Sequence, residues 1–417
     1  MPRISLRSEA VSARLSRLSA VDELKEQVYP GTKQVRQPVH TCYVPADQVG
    51  AGTVREWGQQ ALAALDEHAG GPEDFTDILG LAPQIAPAVH ERVRWKLRRE
   101  PVEDLRIDFE DGYGNRPDEV EDADAERAAE VVAGWLQDGA EPFCFGLRVK
   151  SFDTPELRAR SIRTLDIFLT ALLQQWGSLP SGFVVTFPKV ISALQVEVFV
   201  ELLELLEQQL GIPDNSLRFE IQVETPQSVV DAEGRIALPR FVRAAGGRVS
   251  GLHFGTYDYT ASCGLTAEHQ HLAHRACDFA RHVMQVSAAG TGIFLSDGST
   301  NVLPVGDQVR SGWRTHYELT RRSLEHGFYQ GWDLHPGQLV TRYAAVFSAF
   351  REAAPAAAQR IADYVAATTG SVLDEPATAR ALAGFFVRAL DNGGTDADEV
   401  RQLTGLDEQA LRDLARN

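Results

Sequence analysis

Eight short apolar segments recur along this 417-residue chain, and polar residues cluster at their C-terminal ends: Asp108-Phe109-Glu110-Asp111, Arg148, Lys189, Glu224, Asp258, Asp297 and His335. Each segment is separated from the next by a stretch able to hold a helix, which favours parallel βα units. A (β/α)8 barrel fills its inside with alternating apolar side chains and leaves room for chemistry only at the mouth, where the strands end. A doubly wound open sheet would show the same alternation. Eight units and the lack of a G-x-G-x-x-G after the first strand favour the barrel.

The chain is longer than the ~250 residues of one barrel, so extensions are expected at both ends. We read residues 1–36 as a helical preface, 37–345 as the catalytic barrel and 346–417 as a helical lid or extension. The preface carries Val11, Leu15, Leu18 and Val21 at helical spacing, and the last segment is alanine-rich, with Gly393-Gly394 before a final amphipathic helix. Predicted strands cover 39–44, 105–109, 143–149, 182–187, 217–223, 249–254, 291–295 and 331–334. A long helical stretch over 54–99 is broken at Gly70-Gly71-Pro72.

Hydrophobic residues at 44% and charged residues at 24% describe a globular protein with ample core. The net charge of −17 argues against nucleic acid or an anionic membrane as partner and is compatible with a metal cation. Cys42, Cys144, Cys263 and Cys277 show no C-x-x-C spacing, so reduced, packed thiols are expected. No apolar run reaches the ~18 residues of a membrane span, and the segment holding Arg3, Arg7 and Glu9 lacks the apolar stretch of a secretory signal. A cytoplasmic protein is the expectation.

Glu224 and Asp258 end neighbouring strands. Two carboxylates so placed can grip one hard divalent ion, best Mg2+, while water or substrate oxygens complete its shell. Each alone could equally cap the following helix. Glu110 and Asp111 either orient metal-bound water or begin an acidic helix. Arg148 either clamps a carboxylate with two N–H groups or pairs with Glu110 or Asp111. Lys189 adds positive charge to the mouth or lies on the surface. His335, boxed by Pro336 and Gln338, touches substrate or the barrel rim. His269, His271 and His274 read as a solvated face. The chain has no G-x-S-x-G elbow and no G-x-x-x-x-G-K-[ST] loop, which removes support for a serine triad and for P-loop phosphoryl transfer.

The ordered motifs Val39-His40-Thr41-Cys42-Tyr43-Val44-Pro45-Ala46, Asp108-Phe109-Glu110-Asp111, Leu147-Arg148-Val149, Pro188-Lys189, Val223-Glu224-Thr225-Pro226, Phe254-Gly255-Thr256-Tyr257-Asp258, Asp297-Gly298 and His335-Pro336-Gly337-Gln338 resemble the HpcH/HpaI aldolase and citrate lyase beta subunit superfamily, malyl-CoA lyase-like members included. The resemblance covers residues 39–345. It implies a (β/α)8 TIM barrel of the phosphoenolpyruvate/pyruvate type, with Glu224 and Asp258 as ligands of Mg2+ or Mn2+. Arg148 would hold the keto- or hydroxy-acid, with Lys189, Gly255, Thr256 and His335 completing the substrate site. Glu110 and Asp111 would support the metal's waters. Gly370-Ser371-Val372-Leu373-Asp374-Glu375-Pro376 resembles the lid of the CoA-lyase branch, which would make Asp374 an acid or base reaching a neighbouring subunit of a homo-oligomer, a trimer or hexamer. Asp374 as a plain helix cap stands beside that reading.

The expected activity is a Mg2+-dependent carbon–carbon lyase or aldolase working on a hydroxy acid, CoA thioesters such as malyl- or citramalyl-CoA included, through a stabilised enolate. Malate synthase-like condensation and hydrolysis, and a barrel that only binds a metabolite, are the alternatives. Arg92, Arg94, Lys96, Arg98 and Arg99 form a basic stripe that either meets CoA phosphates or is a solvated helix face.

Overall fold

The computed structural model describes residues 5–31, 35–366 and 375–416. Eight strands are present: β1 His40–Pro45, β2 Asp104–Asp108, β3 Cys144–Arg148, β4 Phe183–Phe187, β5 Arg218–Val223, β6 Val249–Phe254, β7 Phe294–Ser296 and β8 Gly331–Asp333. They pair in parallel in the order β7-β6-β5-β4-β3-β2-β1-β8, and a bridge from Ser296 to Gln330 closes the ring. This is the (β/α)8 TIM barrel that the eight-unit pattern predicts, with the strand C-termini at one mouth.

Local chemistry sets the helix boundaries. Ser192 and Gln195 form a capping box at the start of helix Ala193–Leu210, and Gly211 ends it in the left-handed conformation at φ 66°. The break at Gly70-Gly71-Pro72 falls between helices Thr53–His68 and Pro72–Leu79, followed by Ala86–Arg99. The strand predicted over 291–295 instead begins at Phe294, because Gly290 and Gly292 take positive φ and the Thr291 hydroxyl turns back to donate to the Ala288 carbonyl at 2.7 Å. Cys42 and Cys277 are buried free thiols as expected, whereas Cys263 is exposed.

The N-terminal helices Ser8–Leu15 and Ser19–Val28 bury no residue; beyond them the Gly31 N–H donates to Gly290 O at 2.8 Å. At the other end, one helix, Pro336–Val365, runs through position 345. Its first turns, through Phe347, pack into the barrel core. Phe350, Ala354 and Ile361 found a second apolar cluster with Phe386, Val400 and Leu411 from the last three helices. Among the described residues, no helix is long and apolar enough to cross a membrane.

The inside of the barrel corrects the expectation of an apolar filling. Arg106 on β2 donates to Glu220 on β5 at 2.9 Å and to Thr186 on β4 at 3.0 Å, and pairs with Asp104. Residues on strands this far apart meet only across the interior. His253 on β6 stands 2.9 Å from Glu220, and Thr41 on β1 donates to Asp104 at 2.8 Å. The apolar residues of these strands, such as Leu105, Ile107, Val185 and Ile221, belong to the main apolar core. A buried guanidinium between two carboxylates is tolerated only while every charge is paired. Replacing Arg106 with Met should therefore cost about 3–5 kcal/mol of unfolding free energy, measured in denaturant, because Asp104 and Glu220 would stay buried without their cation.

Candidate functional site

The site begins with the alternation along β2. Asp104, Arg106 and Asp108 lie two apart on one face, which carries Asp108 to the mouth directly above Arg106. There Asp108 accepts both prongs of the Arg148 guanidinium, Nε at 2.6 Å and Nη2 at 2.5 Å, and also the backbone N–H groups of Glu110 and Gly112, each at 2.9 Å. A side chain at Gly112 would strike the Asp108 carboxylate, its Cβ falling 2.5 Å from Oδ2. Arg148 is held further by the face of Tyr43, 4.7 Å from the ring centre, and its Nη1 lies 3.4 Å from Glu110. The partner that aims Arg148 is thus chiefly Asp108, which opens the Asp108-Phe109-Glu110-Asp111 motif but to which motif reading gives no role, Glu110 or Asp111 being the partners expected for Arg148.

Lys189 occupies the centre of the mouth. It is a non-glycine residue with φ +51°, a rare backbone state. Its backbone N–H donates to Glu224 Oε1 at 2.8 Å, and its ammonium turns to Glu110, to Asp111 at 2.8 Å and to Asp258 at 3.9 Å. The alternative of a surface lysine does not hold. Gly255 lets β6 pass beside Glu224, because a Cβ there would sit 2.3 Å from the Cβ of Glu224. The next residues open helix Thr256–Ser262, whose first turn carries Asp258. Thr256 is buried with its hydroxyl unpartnered. A cavity of about 420 Å³ is lined by Tyr43, Asp108, Asp111, Arg148, Glu224, Asp258 and Trp332, among others, while Glu110 and Lys189 line a neighbouring one of about 260 Å³ that shares Asp111.

Five carboxylates, Asp108, Glu110, Asp111, Glu224 and Asp258, share this mouth with Arg148 and Lys189, and the proton affinities of the last four reflect their surroundings. Burial pushes Glu224 up to about 8, and Glu110 and Asp258 add to the effect against the pull of Lys189 and Arg148. Burial likewise pushes Glu110 up to about 7. Asp258 is raised, again mainly by burial. Asp111 is buried in part, yet the hydrogen bond and charge of Lys189 hold it below the usual carboxylate range.

Other expected members lie elsewhere. His335 does not line the cavity: its Nδ1 accepts the Gly337 N–H at 3.0 Å and caps helix Pro336–Val365. Asp297 is buried beneath the rim, bound by Arg281 and Ser323 at 2.6 Å each. His274 caps helix Arg275–Ala288, and His269 pairs with its neighbour Glu268. Within the basic stripe, Arg92 pairs with Asp396, Arg94 with Asp66, and buried Lys96 with Glu100 and Glu103, while Arg99 lies against Trp95. The helix carrying the stripe, Ala86–Arg99, runs toward the start of β2, so its basic end lies opposite the mouth. Asp374 lies outside the described residues. A second cavity, of about 460 Å³, opens near the start of β7 and is bordered by Gln37, Tyr329, Arg380 and Arg412, with none of the mouth carboxylates.

The donor chemistry fits a hard divalent ion. Glu224 and Asp258 offer two carboxylates from adjacent strands, both raised in proton affinity chiefly by burial. Mg2+ accepts a small set of protein ligands because it keeps several waters. Among the described residues no group of three His, Cys, Asp or Glu side chains that could hold a metal is found. A testable consequence follows from the sign of the Glu224 shift. Between its ordinary value near 4.5 and about 8, the folded chain keeps a proton that the unfolded chain has released, so stability falls as pH rises through that window. Glu224→Gln should flatten this loss when thermal midpoints are compared across the window without divalent cation. Added Mg2+ should raise the midpoint of the parent protein at pH 8 and leave that of the variant unmoved.

In sequence, no curated protein matches the chain. In structure, it is similar to Haloferax volcanii malate synthase in a magnesium/glyoxylate complex, with 16% identity, 92% of this chain and 99% of that chain covered, and a TM-score of 0.51. Two further similar structures have lower scores. One is CitE from Mycobacterium tuberculosis in complex with magnesium, acetoacetate and coenzyme A, at 18% identity, with 87% and 100% of the two chains covered and a TM-score of 0.48. Another is an HpcH/HpaI aldolase/citrate lyase family protein from Burkholderia cenocepacia, at 14% identity, with 79% and 98% covered and a TM-score of 0.40. Over its residues 18–417 the chain matches, and belongs to, the family described as Domain of unknown function (DUF6986).

Proposed function

We propose that this protein is a divalent-cation-dependent carbon–carbon lyase or aldolase that cleaves or forms a hydroxy acid with a 2-oxo acid as one product. The observation that carries the reading is the Arg148 guanidinium, locked by Asp108 and Tyr43 beside the Glu224–Asp258 pair in one cavity. Arg148 binds the substrate carboxylate, its orientation fixed before substrate arrives. Glu224 and Asp258 would hold Mg2+, or Mn2+ in its place, which when bound supplies Lewis-acid polarisation of the 2-oxo acid oxygens. On cleavage, the substrate hydroxyl loses its proton, the carbon–carbon bond breaks, and its electron pair forms the enolate that is then protonated at carbon. Glu110, pushed up to about 7, paired with Lys189 and 3.4 Å from Arg148, is suited to hold and release a proton near neutral pH.

The basic stripe lies away from the mouth and is largely occupied by ion pairs, which favours a free acid over a CoA thioester. The test is a paired assay: pyruvate release from 4-hydroxy-2-oxo acids against CoA release from acetyl-CoA plus glyoxylate, each with and without Mg2+. We expect Mg2+-dependent pyruvate release, reduced roughly 100-fold or more in kcat/KM by Glu224→Ala or Arg148→Lys. Full activity of Glu224→Ala with undiminished Mg2+ binding would refute the mechanism. Failure to bind Mg2+ at all would favour a barrel that only binds a metabolite.

A further inference from the structure

We propose that the wall of the mouth built from Tyr43, Trp332 and Leu334 selects a free 2-oxo or hydroxy acid carrying an apolar group about the size of an aromatic ring; this deepens the lyase reading and rests on it. A three-carbon oxo acid set between Arg148, Glu224 and Asp258 would leave much of the roughly 420 Å³ cavity unfilled, a volume within the range that holds drug-sized ligands.

The Tyr43 and Trp332 rings pack 4.8 Å apart at a tilt of 39°. Arg148 takes one face of Tyr43, so Trp332, Pro45 and Leu334 supply apolar surface for a ligand. Leu334 is 37% exposed beside that wall. Apolar surface facing such a space is favourable to cover.

The test compares binding of pyruvate, 4-methyl-2-oxopentanoate and phenylpyruvate by calorimetry with Mg2+ present. Phenylpyruvate should bind at least about tenfold more tightly than pyruvate, as expected for covering several more apolar carbons. Trp332→Ala should shrink that ratio to below about threefold, and Trp332→Phe should keep it, since it retains an apolar ring. Leu334→Ala, at a half-exposed position, should also lower the ratio and serves if Trp332→Ala does not fold. Equal affinity for pyruvate and phenylpyruvate, or a ratio unmoved by Trp332→Ala and Leu334→Ala, would overturn this inference and leave the lyase reading standing. Failure of every acid to bind would overturn the lyase reading itself.

Discussion

Charge compensation inside a closed ring of strands is the constraint on which the rest of this molecule depends. Two arginines stand one above the other along the barrel: Arg106 gripped by Asp104 and Glu220, and Arg148 gripped by Asp108. Ionised groups removed from water must be paired closely or they unfold the protein. The lower layer is closed upon itself, with Thr41, Thr186 and His253 adding contacts to its carboxylates. The upper layer is not closed. Its carboxylates outnumber its cations, and burial, with like charges adding to it, makes Glu224 and Glu110 hold their protons more tightly. This mouth is where the proposed cation would bind, and the difference between the two layers is the difference between scaffold and candidate site.

Lys189 mediates between these layers and the loops. Its ammonium draws Glu110 and Asp111 from the end of β2 toward Asp258 beyond β6, while its backbone N–H fixes Glu224 on β5. One residue in a rare backbone state therefore organises carboxylates from three segments. The strain of such a position is tolerable where surrounding contacts over-determine it, as they do here. Gly112 and Gly255 contribute by absence, each leaving room for a carboxylate that a side chain would displace.

Much of the architecture was legible because it depends on local pattern. The strands around Ile107, Leu147, Val185 and Leu252 announce themselves by alternation and by the polar residues that follow. Glu110, Asp111, Arg148, Glu224 and Asp258 were identified as mouth residues, and the structure places them within one cluster. The site was misread where pairing across the ring decides the outcome. His335 looks like a binding residue by its position after β8 but is spent on a helix cap. Arg92, Arg94 and Lys96 look like an anion site, but the last helices and the loop before β2 supply acids to most of them.

By itself the sequence determined the order and type of the elements, the barrel class and the chemical character of the mouth, since periodicity, capping and strand-end polarity act over a few residues. Only the tertiary structure decided which charges meet. Arg106 reaches Glu220 across 114 positions and Lys189 reaches Glu110 across 79; such contacts are set by the closure of the ring and its register, and no local pattern encodes them. The polar interior, the central place of Lys189 and the hold of Asp108 on Arg148 all follow from that closure.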